Sequence, residues 1–162
     1  GNILLLSKIE HQSIQTRQNW YRLDEQIRQS IVMMEPKWSE KEIEFDVDMM
    51  DVEYLGNENL ICHVWDNLLS NAIKFSPCGG TIYIRMMPEG EKIRFSIENE
   101  GPQISEYSMK HIFDKFYQGD SSHKQEGNGL GLALVKQILN LCMGTVSVEN
   151  IPGSGCRFTV IL

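Results

Sequence analysis

The sequence predicts an α/β domain, a two-layer α/β sandwich in which a mixed sheet of about five strands is covered on one face by about three helices. Strand-like and helix-like patterns are mixed along the chain, and two pairs of strands are joined by short turns. Such turns need antiparallel neighbours, so a doubly wound parallel fold is less favoured.

The first part of the chain is predicted from apolar spacing and from helix breakers. Apolar residues recur at helical spacing at the start, and later at a spacing of two. Asp24 is expected to cap the second helix, and Pro36 interrupts the pattern that follows. In chain order the predicted elements are a helix over 2–18, a strand over 20–23, a helix over 25–34 and strands over 43–49 and 52–55.

The strongest helical pattern covers 57–75, where large apolar residues form one face and Pro77 ends the element. In a later strand, a period of two places Asn99 on the same inward side as Ile97. The remaining predicted elements are strands over 81–87 and 92–99 with a turn at 88–90, helices over 107–113 and 130–141, and strands over 145–149 and 156–162.

Composition narrows the class of partner. The 162 residues carry a formal net charge of -7 without a basic block, which disfavours nucleic acid or an anionic membrane as the main partner. The four cysteines form no Cys-x-x-Cys pair and are interpreted as reduced thiols of a cytosolic domain. No stretch is long and apolar enough to span a bilayer, so the fragment itself is not expected to cross one.

A glycine cluster opens the helix predicted at 130–141. Gly127, Gly129 and Gly131 allow positive φ and close approach of a ligand, and the helix behind them directs its positive end towards anions. The segment indicates a phosphate-binding loop, with a flexible loop ahead of a helix as the alternative. It matches neither the dinucleotide fingerprint nor the P-loop.

A polar stripe runs along the helix predicted at 57–75. Asn67, Asn71 and Lys74 are spaced four and three apart and point the same way. An amide oxygen suits Mg²⁺, and a lysine ammonium group suits phosphate. Taken alone, the stripe would be interpreted as ordinary polar surface, but together with the glycine cluster it suggests a Mg-ATP site.

Two further segments are candidates for binding. Asn99 is predicted to face the interior at a strand end, where adenine would satisfy its amide; bonding to nearby backbone is the alternative. Phe113 and Phe116 are spaced to clamp a lid onto the core, although core packing alone explains either ring equally well.

Four segments, in this order, resemble the motifs of the ATP-binding catalytic domain of bacterial sensor histidine kinases, which share a superfamily with gyrase, heat-shock chaperone and mismatch-repair ATPases. The resemblance runs from about Trp20 to Leu162, and residues 3–10 resemble the end of the preceding dimerisation and histidine-phosphotransfer helix. The matching segments are His63–Pro77 for the asparagine box, Ile97–Ile104 and Gly127–Ala133 for the two glycine boxes and Ile112–Tyr117 for the phenylalanine box, with Gly153–Gly155 for a last glycine turn.

The resemblance implies a role for each motif. Asn71 would coordinate Mg²⁺, with Asn67 and Lys74 assisting at the phosphates, and Asn99 would read adenine. Residues 105–126 would form the ATP lid. The implied nucleotide contacts are Asn67, Asn71, Lys74, Asn99, Gly101, Ile104, Tyr117, Gly127, Asn128, Gly129, Leu130, Gly131 and Leu132.

Asn67 separates a kinase from a hydrolase. In the ATPase relatives a glutamate at this position activates water, whereas an amide cannot accept a proton at neutral pH. ATP is therefore expected to keep its γ-phosphate for a histidine acceptor, with catalysis by positioning and charge stabilisation. The alternative is a degenerate, non-catalytic docking module of the same fold, and a true ATPase is disfavoured.

The chain departs from the family pattern at three positions. Asn99 replaces the usual aspartate, so a charge-assisted bond to adenine is lost and the affinity is expected to fall by roughly 1 kcal/mol, about fivefold. Gln103 replaces a second glycine, which is expected to stiffen the lid hinge, and Gln118 stands where an arginine is common.

The resemblance also sets expectations for the parent protein. Residues 1–18 would be the end of the dimerisation helix, and 19–162 the catalytic domain. None of the four histidines carries the acceptor motif, so the phosphorylated histidine is expected upstream of Gly1. The expected partners are ATP, that upstream domain and a response regulator, without nucleic acid. The domain would be cytoplasmic, in a homodimeric parent anchored in the cell membrane.

Overall fold

In the computed structural model, which describes residues 2–11, 17–118 and 129–162, the chain forms a five-stranded mixed sheet and a separate two-stranded sheet. The strands are β1 (Asn19–Arg22), β2 (Glu44–Met49), β3 (Glu53–Gly56), β4 (Thr81–Glu89), β5 (Lys92–Asn99), β6 (Thr145–Asn150) and β7 (Cys156–Ile161). The helices are α1 (Asn2–Glu10), α2 (Leu23–Met33), α3 (Glu35–Glu40), α4 (Glu58–Phe75), α5 (Glu106–His111) and α6 (Gly131–Leu141).

The large sheet has the strand order β2-β4-β5-β7-β6, in which β2 and β4 are parallel and the other neighbours are antiparallel. β1 and β3 form the small antiparallel sheet. Alternate residues of the large sheet, such as Ile97 and Val160, are buried beneath the helices, whereas Arg94 and Glu98 alternate with them on the other face. The predicted two-layer α/β sandwich is confirmed.

α4 is the central element of the helical layer and contacts α2, α6 and β5. The buried Trp65 ring lies 4.7 Å from the ring of Phe95, centroid to centroid. Its indole N–H donates to Gln26 at 2.8 Å, and the Gln26 amide donates to the Glu58 carbonyl at 2.8 Å. The indole is thus fully satisfied, and α2 is tied to the first turn of α4.

The helix predicted over 2–18 is shorter in the structure. α1 ends at Glu10, residues 17 and 18 are not helical, and 12–16 lie outside the described residues. The other predicted elements are confirmed with ends shifted by at most two residues, and the unassigned stretch after Pro36 forms α3. Within the described ranges, no helix has the length and apolar character that crossing a membrane requires.

The predicted cap of α2 is wrong. The helix begins at Leu23, and Asp24 lies inside its first turn. The Asp24 carboxylate accepts hydrogen bonds from the side chains of Arg22 and Arg28 and, at 3.1 Å, from the backbone N–H of Val52. These partners, Arg22 above all, hold the pKa of the buried Asp24 carboxyl well below its ordinary value.

The turn predicted at 88–90 lies later, because β4 continues through Pro88 before the chain reverses. Pro88 faces Ile93, but the N–H and C=O of Ile93 both bond to Leu162. The pair therefore needs no hydrogen bond from Pro88, and β2 has already ended at this level of the sheet. A proline without an N–H is tolerated at such a position.

α6 ends in a Schellman motif that contains a methionine. The N–H of Gly144 donates to the carbonyl of Leu139 at 2.7 Å, and the N–H of Met143 donates to that of Asn140 at 3.2 Å. Met143 has a φ of 58° and is 84% exposed. A position that favours glycine therefore holds a side chain that contributes little packing.

Met143→Gly should raise the free energy of unfolding by about 1 kcal/mol, because a residue without a Cβ is unstrained in the left-handed region. Urea denaturation measures the change. Met33→Gly is the matched control: Met33 is also exposed but helical, and the same substitution there should lower the free energy by roughly 0.5–1 kcal/mol. Equal effects at the two positions would contradict the strain at Met143.

Asp24→Asn should lower the free energy of unfolding by about 2 kcal/mol near neutral pH, because it replaces a buried carboxylate that accepts charge-assisted hydrogen bonds from two partly exposed arginines. The folded-state pKa of Asp24 lies below the unfolded value of about 4, so its contribution is present above that pH and is lost as the pH falls further. Urea midpoints measured across this range should converge for variant and wild type in acid. A difference between the urea midpoints of variant and wild type that does not depend on pH would refute this account.

Candidate functional site

The predicted site residues on α4 lie along one polar edge of the helix. Asn67, Asn71 and Lys74, here named the α4 stripe, are all half-buried. Asn67 approaches the start of α6, and the last residue of α4 approaches the turn after β5. α4 thus lies between Gly131 at one end and Gly101 at the other, and the α4 stripe runs along the helix between these two contacts.

At the first end of the stripe, Asn67 lies against α6. Its amide N–H donates to the carbonyl of His63 at 2.7 Å, so its own helix fixes the side chain. Its Oδ1 accepts from Asn2 of α1 at 3.3 Å, and a Cβ placed on Gly131 would lie 2.7 Å from the same oxygen. The absence of a side chain at Gly131 therefore leaves room for the Asn67 amide between α4 and α6.

At the other end, Gly101 meets the last turn of α4. Gly101 has a φ of 132°, and a Cβ placed on it would lie 2.5 Å from the carbonyl oxygen of Phe75. This contact requires glycine at position 101 whether or not a nucleotide also approaches the residue. The ammonium group of Lys74 lies 5.3 Å from the centroid of the Phe75 ring, and burial lowers the pKa of this lysine.

Asn99 occupies the inward position predicted for it, with 1% exposure, beside Cys156 of β7. Its Nδ2 donates to the carbonyl of Glu100 at 2.9 Å, and its Oδ1 receives the thiol of Cys156 at 3.7 Å. Burial, assisted by the charge of Glu98, raises the pKa of that thiol to about 11, so it remains a weak donor. The amide donor is bonded to nearby backbone, and the oxygen retains a lone pair for a ligand.

The start of the predicted lid is anchored by Asn150, which sequence reasoning missed. Asn150 accepts from the N–H of Ile104 and donates to its carbonyl, both at 2.8 Å. Gln103 donates to the carbonyl of Ile151 at 2.9 Å, which supports the expected stiffening of the hinge. An asparagine at the end of a strand is also typical of a turn, so the sequence holds no signal for this clamp.

The phenylalanine box, Ile112–Tyr117, contacts Gly129. Phe113 packs edge-on against Phe158, with ring centroids 6.2 Å apart, but Phe116 is 65% exposed, so the expectation that both rings clamp onto the core is wrong for Phe116. The N–H of Phe116 instead donates to the carbonyl of Gly129 at 3.0 Å. A Cβ on Gly129, where φ is 74°, would lie 2.7 Å from the Phe116 carbonyl carbon.

Tyr117 is held in place by α5. Its hydroxyl is hydrogen-bonded to that of Ser108 at 2.7 Å, and its ring lies 5.8 Å from the ring of His111 and 6.4 Å from that of Tyr107. The tyrosine predicted to contact the nucleotide, which is the last residue of the phenylalanine box, is therefore held against α5.

The helix start at α6 supplies backbone donors. The side chain of Leu130 is buried in the core with 1% exposure, so this residue can reach a ligand only through its backbone, and Leu132 is half-buried against the core. Leu130, at the N-cap position, has no side-chain oxygen to cap the helix. The first N–H groups of α6 are the donors that a phosphate would use. Gly127, Asn128 and the lid residues 119–126 lie outside the described residues.

The donor set of the site fits Mg²⁺ together with a triphosphate. In the described part of the chain, no three His, Cys, Asp or Glu side chains cluster in a way that could hold a metal ion. The oxygen donors on the α4 stripe are the amides of Asn67 and Asn71. Mg²⁺ takes few protein oxygens and completes its shell with phosphate oxygens and water, so one amide beside a nucleotide suffices.

Known proteins resemble this chain in sequence. Residues 56–162 match the family model described as histidine kinase-, DNA gyrase B-, and HSP90-like ATPase. The chain is 32% identical over 158 residues to the heme sensor protein HssS of Staphylococcus saprophyticus, which covers 98% of this chain and 34% of that protein. The chain therefore spans about a third of the length of this curated relative.

Solved histidine kinase structures have the same fold. Full-length ShkA in complex with AMPPNP is 25% identical with a TM-score of 0.86, covering 99% of this chain and 34% of that one. The histidine kinase ThkA in complex with the response regulator protein TrrA is 25% identical with a TM-score of 0.79, covering 99% of this chain and 46% of that one.

Gly101→Ala should weaken ATP binding by about tenfold or more, because the added Cβ must displace either the end of α4 or the turn after β5. A titration with a fluorescent ATP analogue measures the loss. Gly153→Ala is the matched control, since Gly153 also has positive φ, 77°, but a Cβ there would meet nothing within 4 Å. Equal losses in the two variants would show that the contact with Phe75 is unimportant.

Proposed function

Because the chain belongs to the family of histidine kinase-, DNA gyrase B- and HSP90-like ATPases, we propose that its site transfers the γ-phosphate of ATP to a histidine side chain. The chain is the ATP-binding domain of a two-component sensor histidine kinase. The acceptor histidine would lie on an upstream domain, and a response regulator would receive the phosphate. The observation that carries the proposal is that α4, which bears the stripe, lies against Gly131 at one end and against Gly101, two residues after Asn99, at the other.

Base, metal and phosphates are assigned to different parts of this edge. Asn99 Oδ1 accepts a hydrogen bond from the adenine amino group. Asn71 holds Mg²⁺, which when bound neutralises charge on the phosphate oxygens. Lys74 meets the phosphates as a point charge, and Gly129 and Gly131 bring the N–H groups at the start of α6 towards the triphosphate.

Asn67 is assigned the role of preserving ATP for transfer. Its amide is fixed by the carbonyl of His63 and cannot take a proton from water at neutral pH. In the hydrolytic relatives a glutamate at this position performs that step. The chain then contributes to catalysis by positioning and by charge stabilisation, and these two effects suffice for transfer to a nucleophile supplied by another domain.

Residues 1–18 are proposed as the end of the dimerisation and histidine-phosphotransfer helix, and 19–162 as the catalytic domain with an ATP lid at about 105–126. α1 lies on α6 with Leu6 and Ile9 buried, and Glu10 pairs with Lys115 of the phenylalanine box at 3.0 Å. The parent is proposed to be a homodimer anchored in the cell membrane, with this domain in the cytoplasm and no nucleic acid partner. The ThkA complex with TrrA supports a response regulator as a partner.

Incubation with γ-labelled ATP, Mg²⁺ and a separately supplied histidine-bearing dimerisation domain should label that domain and leave the chain itself unlabelled. Asn71→Ala should slow labelling by about 100-fold, a typical cost of removing one group that stabilises charge in the transition state. Asn140→Ala, at an exposed position near the end of α6, is the matched control and should label at the wild-type rate.

Three outcomes would count against the proposal. Label on the isolated chain would contradict an acceptor located elsewhere. Failure of a fluorescent ATP analogue to bind with Mg²⁺ present would favour the non-catalytic docking module. Steady phosphate release that is lost in Asn67→Ala would favour a true ATPase.

A further inference from the structure

Lys41 follows α3 and reaches the C-terminal end of α4. Its ammonium group donates to three backbone carbonyls there, at 2.7 Å to Ile73, 3.1 Å to Lys74 and 2.6 Å to Ser76. The last carbonyls of a helix have no partner within the helix, and the helix dipole favours a cation beside them. Lys41, which lies on a separate part of the chain, therefore caps the C-terminal end of α4.

The backbone around Lys41 reinforces this link. Its carbonyl accepts from the N–H of Gly79 at 2.8 Å, and the N–H of Glu44 donates to the carbonyl of Gly80 at 3.0 Å. The connection from α4 to β4 is thus held against the start of β2 by main-chain bonds, while the Lys41 side chain holds the helix end itself.

The same turn of α4 forms two parts of the proposed nucleotide site. It carries Lys74, and the carbonyl of Phe75 lies against Gly101, whose Cβ position would be 3.7 Å from Asn99 Nδ2. Asn71 lies one turn earlier on the same edge. Movement of this turn would therefore shift groups on the phosphate side and on the base side together.

We propose that Lys41 is a positioning residue for nucleotide binding, which fixes the last turn of α4 so that the α4 stripe and Gly101 keep the spacing that ATP requires. The inference rests on the proposed function, because it takes ATP to bind along this edge. Lys41 acts through the backbone of α4, since its three acceptors are all main-chain oxygens.

Calorimetric titration of the whole chain with Mg-ATP tests the role of Lys41. Lys41→Met should raise the Kd by about tenfold, since it removes three charge-assisted hydrogen bonds from the C-terminal end of α4. Lys41→Arg, which keeps a cation with several donors, should stay within about threefold of wild type, and Lys41→Gln should fall between the two. Val146→Ala is the stability control, because Val146 is buried on the edge strand β6, away from the stripe.

Hydrogen exchange separates positioning from a general loss of stability. In Lys41→Met the N–H of Ser76, which bonds to the Ala72 carbonyl at 3.0 Å, should exchange faster while amides of the sheet stay protected. In Val146→Ala the Kd should stay within about twofold of wild type even where the urea midpoint falls as far as it does in Lys41→Met.

A folded Lys41→Met variant with the wild-type Kd would overturn the inference. A Val146→Ala variant that binds Mg-ATP as weakly as Lys41→Met does, at the same urea midpoint, would also overturn it. Where Lys41→Met does not fold, Lys41→Gln is judged by the same criterion. Failure of the wild-type chain to bind Mg-ATP would instead refute the proposed function. Wild-type binding that is unchanged in every Lys41 variant would refute this inference alone.

Discussion

The fixed position of α4 on the sheet is the constraint on which the rest of the structure depends. Trp65 packs on Phe95 and bonds to Gln26, so the helix cannot slide or rotate without losing a buried hydrogen bond and an aromatic contact worth about 0.5–1.5 kcal/mol beyond the burial of the rings. Rotation would also bury the polar edge of the helix. The direction in which Asn71 points is therefore set by apolar packing on the opposite side of α4, which rigidifies the site before any ligand binds.

Glycine serves the proposed site first through close contacts within the protein. Gly131 lets α6 approach Asn67, Gly101 lets the turn after β5 approach Phe75, and Gly155 packs directly on the Asn99 backbone. By contrast, a Cβ on Gly153 would meet open space, as expected for a simple turn residue. The glycines singled out in the sequence for ligand approach are thus also the points where separate elements touch, so their loss would deform the pocket even without nucleotide.

Patterns within one element could be predicted, and contacts between distant elements could not. A period of two was enough to place Asn99 inward, and helical spacing was enough to align the α4 stripe. Asp24 has the sequence context of a cap, but Val52, 28 residues away, gives it a different role. Lys41 carries no signal at all, because its acceptors are backbone carbonyls 32 to 35 residues further along the chain. Every residue has a backbone carbonyl, so residue types do not indicate which carbonyls will accept from a distant lysine.

The neutral residue at position 99 is tied to its protein surroundings. Its Nδ2 faces the carbonyl of Glu100 at 2.9 Å, and the Glu100 side chain accepts from the N–H of Thr81 at 2.6 Å. An aspartate in the same rotamer would place an anionic oxygen against that carbonyl in a buried site, which is unfavourable. The charge-assisted bond that an aspartate could offer to adenine would therefore be offset by repulsion at the strand end. In the proposed site, Asn99 would give up part of the base contact and keep the turn that leads to Gly101 intact.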